Sequence, residues 1–154
     1  MANWKTYRIS DVVNEIEEGK YVLPVIQRSL VWTEEKMELL FDFVLKGDSF
    51  SGVIAIKEEK GKKPLFNYRT FSKTGEAMES QEVESLRQTQ LFIIDGQQRL
   101  QTFYIGLTGS FNGKKLYFDL YSNYLDEFEF KFEKDEGQLP KSSKEESRKI
   151  PERL

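Results

Sequence analysis

The 154-residue sequence contains neither cysteine nor histidine. The absence of cysteine excludes disulfide bonds and thiolate metal sites from this chain. The absence of histidine removes the commonest general base, the usual zinc ligand and the chemistry of HNH-type nucleases. Any acid–base chemistry in this chain therefore depends on Asp, Glu, Lys or Tyr side chains, or on metal-bound water.

Long apolar runs and excess positive charge are also lacking. No apolar run approaches the roughly 20 residues of a transmembrane helix, and residues 1–5 contain no signal-peptide apolar region. We therefore expect a cytoplasmic protein without membrane contact. The formal net charge of −3 differs from that of a generic nucleic-acid-binding domain, which is basic. Hydrophobic residues make up 38% of the chain, which is enough for one domain with a core.

The most informative stretch of the chain runs from Leu91 to Thr102. It begins with a short apolar run, Leu-Phe-Ile-Ile, that is typical of a strand buried on both faces. After Gly96 the apolar period becomes that of a helix, whose buried face is predicted to contain Leu100, Phe103, Tyr104 and Leu107. The polar residues between the two elements are thus predicted to lie at a helix N-terminus, where free N–H groups and the helix dipole favour an anion.

The polar residues of this stretch have two interpretations. Asp95 and Gln98 have the spacing of a capping box, so an ordinary helix cap explains them without a ligand. Alternatively, the Asp95 carboxylate holds a divalent cation or orients a water for attack on a phosphate. Gly96 is either a plain turn glycine or a point of close approach for a phosphate. Arg99 opposes the helix dipole; a bound phosphate would remove this conflict, and the competing explanation is a salt bridge to a nearby carboxylate.

A second polar group lies further upstream and contains Gln27, Arg28 and Trp32. It precedes a helix that is predicted to begin after Thr33, a good N-cap, and to end at Gly47. Trp32 is interpreted in two ways, as a side chain that stacks on a base or ribose or as a core residue at the start of this helix.

The remaining segments predict short strands and one polar insertion. Strands are predicted over residues 21–23, 52–56, 65–71, 116–121 and 128–133. The strand at 52–56 is predicted to be short and buried, and the last two are predicted to be half-exposed. An exposed helix is predicted over residues 76–87, within the insertion. Residues 134–154 are charged and poor in apolar side chains, so they are interpreted as a linker or the start of a truncated C-terminal region.

The segment Ile94-Asp-Gly-Gln-Gln-Arg-Leu-Gln-Thr102 resembles the signature of the DUF262 family, the DGQQR domains of bacterial restriction and anti-phage proteins. The segment from Leu23 to Trp32 resembles the family's other motif, although Ile26 and Leu30 stand where family members often carry aromatic residues. The resemblance implies an α+β (α/β) fold, a small mixed sheet with packed helices similar to the ParB/sulfiredoxin fold. Residues 1–133 would form a nucleotide-binding domain of this type.

The resemblance also implies nucleotide binding and NTP hydrolysis in an anti-phage or modification-dependent restriction system, with Mg²⁺ or another divalent cation. The implied catalytic residues are Asp95, Gln98 and Arg99, with Asp95 as the metal ligand. The implied nucleotide-binding residues are Gln27, Arg28, Trp32, Gly96, Gln97, Arg99 and Thr102. The implied partners are the nucleotide, modified DNA, and a C-terminal nuclease region or partner subunit.

Two alternatives to a nucleotide-hydrolysing domain stay open. One is a DNA-binding or DNA-modification-reading module without turnover, whose affinity would fall steeply with salt. The other is a ParB-like metal-dependent nuclease. The nuclease ranks lower, because the sequence contains only one well-placed carboxylate, that of Asp95.

Overall fold

A computed structural model describes residues 3–122 and 129–134 of the chain. In this part of the chain the elements follow in the order α1 (Ile9–Glu17), β1 (Tyr21–Pro24), α2 (Glu34–Lys46), β2 (Ile54–Glu58), β3 (Tyr68–Arg69), β4 (Gln90–Asp95), α3 (Gln97–Thr108), β5 (Lys115–Phe118) and β6 (Phe130–Glu133). Helices combined with a mixed sheet confirm the predicted α+β class. The predicted linker from residue 135 onward lies outside the described residues.

The main sheet has four strands in the order β2-β4-β1-β3. Its central pair, β1 and β4, is parallel, with Tyr21 opposite Leu91. Both outer strands run antiparallel to their neighbours. Because β1 and β4 are parallel, their last residues, Pro24 and Asp95, lie next to each other at the carboxyl end of the two strands. The two predicted motifs follow these two ends, so the sheet brings them together.

The central strands are covered on both faces, as predicted for β4. Ile93 belongs to the larger core, which the strands share with the three helices. Phe92 points to the opposite face and packs with Tyr68 and Leu86. Phe92 is 1% exposed and Ile93 0%. The second face is therefore buried by β3 and by the polar insertion, which supplies Leu86.

The polar insertion contains no helix, so the helix predicted over residues 76–87 is wrong. The segment consists of turns and extended chain, with one bridge between Gln81 and Tyr68. Burial of a few apolar side chains on the sheet dominates here over local helix preference. The strand predicted over residues 52–56 is present as β2, but its predicted burial is wrong. The strand β2 is an outer strand of the sheet, and Ile54 is 51% exposed.

A two-stranded antiparallel ribbon, β5 and β6, packs against α2. The helix begins after Thr33, whose Oγ1 accepts a hydrogen bond from the Lys36 N–H, and ends at Gly47, as predicted. Carboxylates on α2 hold the ribbon. Buried Glu38 accepts hydrogen bonds from the Phe132 N–H at 2.8 Å and from Lys131 Nζ at 3.2 Å. In the described part of the chain, each helix is too short or too polar to cross a bilayer.

Replacing Glu38 by alanine is expected to lower the free energy of unfolding by about 2 kcal/mol, because the buried Phe132 N–H would lose its acceptor. The control Lys131→Ala removes only the ion pair. Since the Lys131 side chain is 58% exposed, this change is expected to cost at most about 0.5 kcal/mol. Urea unfolding of both variants measures the difference, and equal losses would show that Glu38 acts only through the ion pair.

Candidate functional site

The DGQQR segment joins β4 to α3, as predicted. Asp95 ends β4, and Gly96 precedes the helix with a φ of 85°. No side chain caps α3, so the interpretation of Asp95 and Gln98 as a capping box is wrong. The first backbone hydrogen bond at this end runs from the Leu100 N–H to the Gly96 carbonyl oxygen. The N–H groups of residues 97–99 precede this bond and are therefore available to an anion.

The Arg99 side chain turns toward the segment before β2. Its Nη2 donates to the Gly52 carbonyl oxygen at 2.7 Å and lies 3.7 Å from Asp95 Oδ2. The competing explanation of Arg99, a salt bridge, is thereby confirmed. Arg99 Nε is buried and has no hydrogen-bond partner among the described residues. The Arg99 side chain is 18% exposed, against 64% for Asp95. Solvent or a ligand therefore reaches Asp95 more easily than Arg99.

The amides of Gln97 and Gln98 hold the loop of residues 25–32 against α3. Gln97 Nε2 donates to the Arg28 carbonyl oxygen. Gln98 Nε2 donates to the Ser29 carbonyl oxygen at 3.1 Å, and its Oε1 accepts from the Val31 N–H at 3.0 Å. Both ends of the Gln98 amide are thus engaged by backbone, whereas Gln97 is engaged only through its nitrogen.

A second loop, residues 70–78, is held against α3 from the other side. Gln101 accepts a hydrogen bond from the Ser72 N–H at 3.3 Å and donates one to the Ser72 carbonyl oxygen. Lys73 forms an ion pair with Glu17 of α1 and lies 6.0 Å from the centre of the Tyr104 ring. The hydrogen bond from Lys73 lowers the pKa of the Glu17 carboxyl. The 70–78 loop is therefore fixed to both α1 and α3.

A cleft lies between these two loops, beside the first turns of α3. Its free volume is about 20 Å³, measured as the space open to the centre of a water-sized sphere. The charged residues in its lining are Arg28, Arg69 and Glu76, and the polar ones are Ser29, Thr70, Ser72, Gln97, Gln98 and Gln101. Within the described residues, neither arginine forms an ion pair. A cleft with two unpaired guanidinium groups is chemically suited to an anionic ligand.

Arg69 was missed by the reasoning from sequence. It lies on β3, outside both motifs, and the antiparallel pairing of β3 with β1 places it opposite Leu23. From there Nη1 donates to Ser29 Oγ at 3.2 Å and Nη2 to the Gln27 carbonyl oxygen at 2.7 Å. Gln27 in turn donates to the carbonyl oxygen of Ile94 at 2.8 Å. No local pattern around Arg69 signals this position, because it depends on strand pairing.

Of the seven predicted nucleotide-binding residues, only Arg28 and Gln97 line the cleft; the other five are Gln27, Trp32, Gly96, Arg99 and Thr102. Thr102 is 0% exposed and donates to the Gln98 carbonyl oxygen at 2.8 Å within α3. Trp32 is half-buried against the core, with Lys36 Nζ 5.0 Å from its ring centre. The interpretation of Trp32 as a core residue is confirmed, and its contact with a nucleotide stays a prediction.

A metal ion would depend on Asp95 and on a ligand. Within residues 3–122 and 129–134, no group of three or more Asp, Glu, His or Cys side chains could hold a metal by itself. Mg²⁺ is commonly bound by one or two carboxylates together with substrate phosphates and water. The single exposed carboxylate of Asp95 therefore fits a cation that arrives with phosphates.

Comparison with known proteins yields a family match and one distant relative. The family model of the GmrSD restriction endonuclease N-terminal domain matches residues 9–153. An uncharacterized protein of Methanocaldococcus jannaschii is 32% identical over 102 residues, or 66% of this chain. The matched segment spans 17% of that relative's length.

Proposed function

The chain belongs to the family of the GmrSD restriction endonuclease N-terminal domain, and from this premise we propose that it is a cytoplasmic nucleotide-binding and NTP-hydrolysing module. It would serve a restriction or anti-phage system whose other parts act on modified DNA. The uncapped N-terminus of α3 carries the proposal, because it opens beside a cleft with two guanidinium groups that form no ion pair with any described residue. A C-terminal nuclease region or partner subunit would complete the system.

In this proposal the phosphates lie at the turn from Asp95 to Arg99. The free N–H groups and the dipole of α3 stabilise their charge, and Gly96 lets the backbone approach closely. Arg28 reaches them from the opposite loop. Asp95 orients the attacking water or holds Mg²⁺, which would supply further charge neutralisation of the phosphates. Catalysis would rest on positioning and electrostatics, as phosphoryl transfer generally does.

The remaining polar residues of the motif would act by holding this arrangement. Arg99 keeps Asp95 and the segment before β2 in place through its contacts with Asp95 and Gly52. Gln98 holds the 25–32 loop, and with it Arg28, at a fixed distance from α3. These two residues therefore contribute through the geometry of the groups that contact the nucleotide.

Arg28→Ala is expected to lower the affinity for a nucleoside triphosphate by about tenfold, because a charge-assisted contact to phosphate is lost. Isothermal titration of the chain with ATP, GTP and CTP, each with and without Mg²⁺, measures this. The fold should be unaffected, since Arg28 is exposed. The control Arg87→Ala removes an exposed arginine outside the cleft and should leave the affinity unchanged.

Hydrolysis is tested with Asp95→Asn, which should retain nucleotide binding and lose phosphate release. The proposed function is contradicted if the folded chain binds none of the three nucleotides. It is also contradicted if binding is equal in the wild type and in Arg28→Ala.

A DNA-binding or DNA-modification-reading module without turnover is a second candidate. It is favoured by the exposed apolar tip of the 25–32 loop, where Val25, Ile26 and Val31 are 44%, 66% and 56% exposed. Apolar side chains beside a basic residue are used as wedges between base pairs by some DNA-binding proteins. Titration with modified and unmodified duplex DNA at several salt concentrations tests it, since affinity should fall linearly on a log–log scale. Nucleotide hydrolysis without DNA binding would rule it out.

A further inference from the structure

An exposed indole, that of Trp4, lies against the segment before β2. Trp4 is 75% exposed. Its contact with this segment is at Gly52, where an added Cβ would lie 3.1 Å from Cζ3 and 3.8 Å from Cη2 of the six-membered ring. These two atoms form the outer end of the ring, so the rest of the indole stays open. A large aromatic surface is therefore left in water, where it gains no free energy from burial.

The segment that contacts the indole also contacts the turn between β4 and α3. The Gly52 carbonyl oxygen accepts a hydrogen bond of 2.7 Å from Arg99 Nη2, which lies 3.7 Å from Asp95 Oδ2. The next residue, Val53, packs against Gly96, where an added Cβ would lie 2.9 Å from Val53 Cγ2. The exposed indole is therefore held beside the turn at which the phosphates are proposed to bind.

The other tryptophan of the chain has a different environment. Trp32, which the sequence offered as a stacking residue, is half-buried against the core, and Lys36 Nζ lies 5.0 Å from its ring centre. Trp4 lies outside both sequence motifs and precedes residues 9–153, which the family model matches. Of the two tryptophans, Trp4 is thus the one whose ring has room for a stacked partner.

We propose that Trp4 stacks on the base of the nucleotide whose phosphates lie at the N-terminus of α3. A nucleotide holds its base one sugar away from its phosphates, so a platform for the base lies beside the phosphate site and not within it. Every base has an aromatic face, so stacking on an indole adds affinity with little discrimination between bases. This inference rests on the proposed function and adds to it a base-binding residue outside both motifs.

Trp4→Ala is expected to lower the affinity for ATP, GTP and CTP by about fivefold, because the base loses its stacking partner. Trp4→Phe keeps an aromatic face and should retain most of the affinity. Tyr121→Ala removes an aromatic residue that is 80% exposed and follows β5, and it should leave the affinities unchanged. Isothermal titration measures all three variants.

Inorganic tripolyphosphate separates stacking from a structural role of Trp4. It has no base, so Trp4→Ala should bind it as the wild type does. If Trp4 acts only by supporting Gly52, and through it Arg99, then Trp4→Ala should weaken the binding of tripolyphosphate and of nucleotides equally. That result would overturn the inference.

Fluorescence shows which ring the base covers. Nucleotide binding should quench the tryptophan emission of the wild type and leave unchanged that of Trp4→Phe, whose remaining tryptophan is Trp32. Equal quenching in both proteins would place the base at Trp32 and overturn the inference.

The same titrations distinguish a failure of this inference from a failure of the proposed function. Nucleotide binding that depends on Arg28, with equal affinity in Trp4→Ala and no quenching, would support the proposed function and overturn the inference. If the folded chain binds none of the three nucleotides, the proposed function is contradicted and the inference is overturned with it. Quenching of Trp4 by single-stranded DNA but by no nucleoside triphosphate would place a DNA base on the indole, which also overturns the inference.

Discussion

Gly96→Ala is expected to lower the free energy of unfolding by about 3 kcal/mol, through a strained backbone and a steric conflict. The φ of 85° at Gly96 lies in the left-handed region, which a residue with a Cβ adopts only at a cost. The added Cβ would also lie 2.9 Å from Val53 Cγ2 and 3.3 Å from Val53 Cα. Because Cα belongs to the backbone, a change of side-chain rotamer does not relieve both contacts.

Gly113→Ala is the matched control for this prediction. Gly113 has a similar φ of 72°, but a Cβ there would have nothing within 4 Å. Gly113→Ala should therefore lower the free energy of unfolding only by the backbone strain, about 1 kcal/mol. Urea unfolding of the two variants isolates the contact with Val53, and equal losses would contradict the tight approach of Gly96 to the segment before β2.

Gly96→Ala also tests the proposed nucleotide-binding site at the N-terminus of α3. The turn at Gly96 sets the direction in which the first N–H groups of α3 point. Gly96→Ala should therefore weaken nucleotide binding at temperatures where the variant is still folded, whereas Gly113→Ala should bind like the wild type. Loss of stability without any loss of affinity would place the phosphates elsewhere.

Gly109→Ala is expected to destabilise the protein by about 4 kcal/mol, since a backbone atom occupies the place of the new Cβ. A Cβ at Gly109 would lie 1.9 Å from the Lys73 carbonyl oxygen. The φ of −129° is ordinary, so the whole effect comes from this contact. The 70–78 loop would have to move away from α3, and the hydrogen bond from the Ser110 N–H to the same oxygen, 2.9 Å long, would be lost.

Gly52→Ala is a suitable control for Gly109→Ala. A Cβ there would meet only the side chain of Trp4, at 3.1 Å, and Trp4 is 75% exposed and free to turn away. The unfolding midpoint of Gly52→Ala should stay near that of the wild type. Because the 70–78 loop forms one side of the cleft, Gly109→Ala should also reduce nucleotide affinity. A wild-type midpoint in Gly109→Ala would contradict the position of this loop.

The sequence by itself determined the elements whose signals are local. The N-cap at Thr33 and the stop at Gly47 bound α2, because cap and turn residues act within one helical turn. The apolar run before Asp95 and the change of period after Gly96 predicted the junction of β4 and α3. The family resemblance identified both polar motifs, and the parallel pairing of β1 with β4 brings them together.

Burial was decided by tertiary structure. Leu107 has the helical spacing of a core residue and is 54% exposed, because no described element covers that end of α3. Leu86 lies in a polar insertion and is 2% exposed, because the insertion folds over the second face of the sheet. Periodicity tells which residues share a face of an element, but the packing partner of that face is set by distant parts of the chain.

The chemistry of the cleft was also decided by tertiary structure. The motif identified Arg99 and Gln97 as candidate binding residues, and the fold determined which of their atoms already have partners. The Arg99 guanidinium contacts the Gly52 carbonyl oxygen and the Asp95 carboxylate. The buried Gln97 Oε1 has no hydrogen-bond partner among the described residues. Arg69 enters the cleft only because β3 pairs with β1. Hydrogen bonds and ion pairs between distant segments depend on strand register and loop position, and these leave no local pattern in a single sequence.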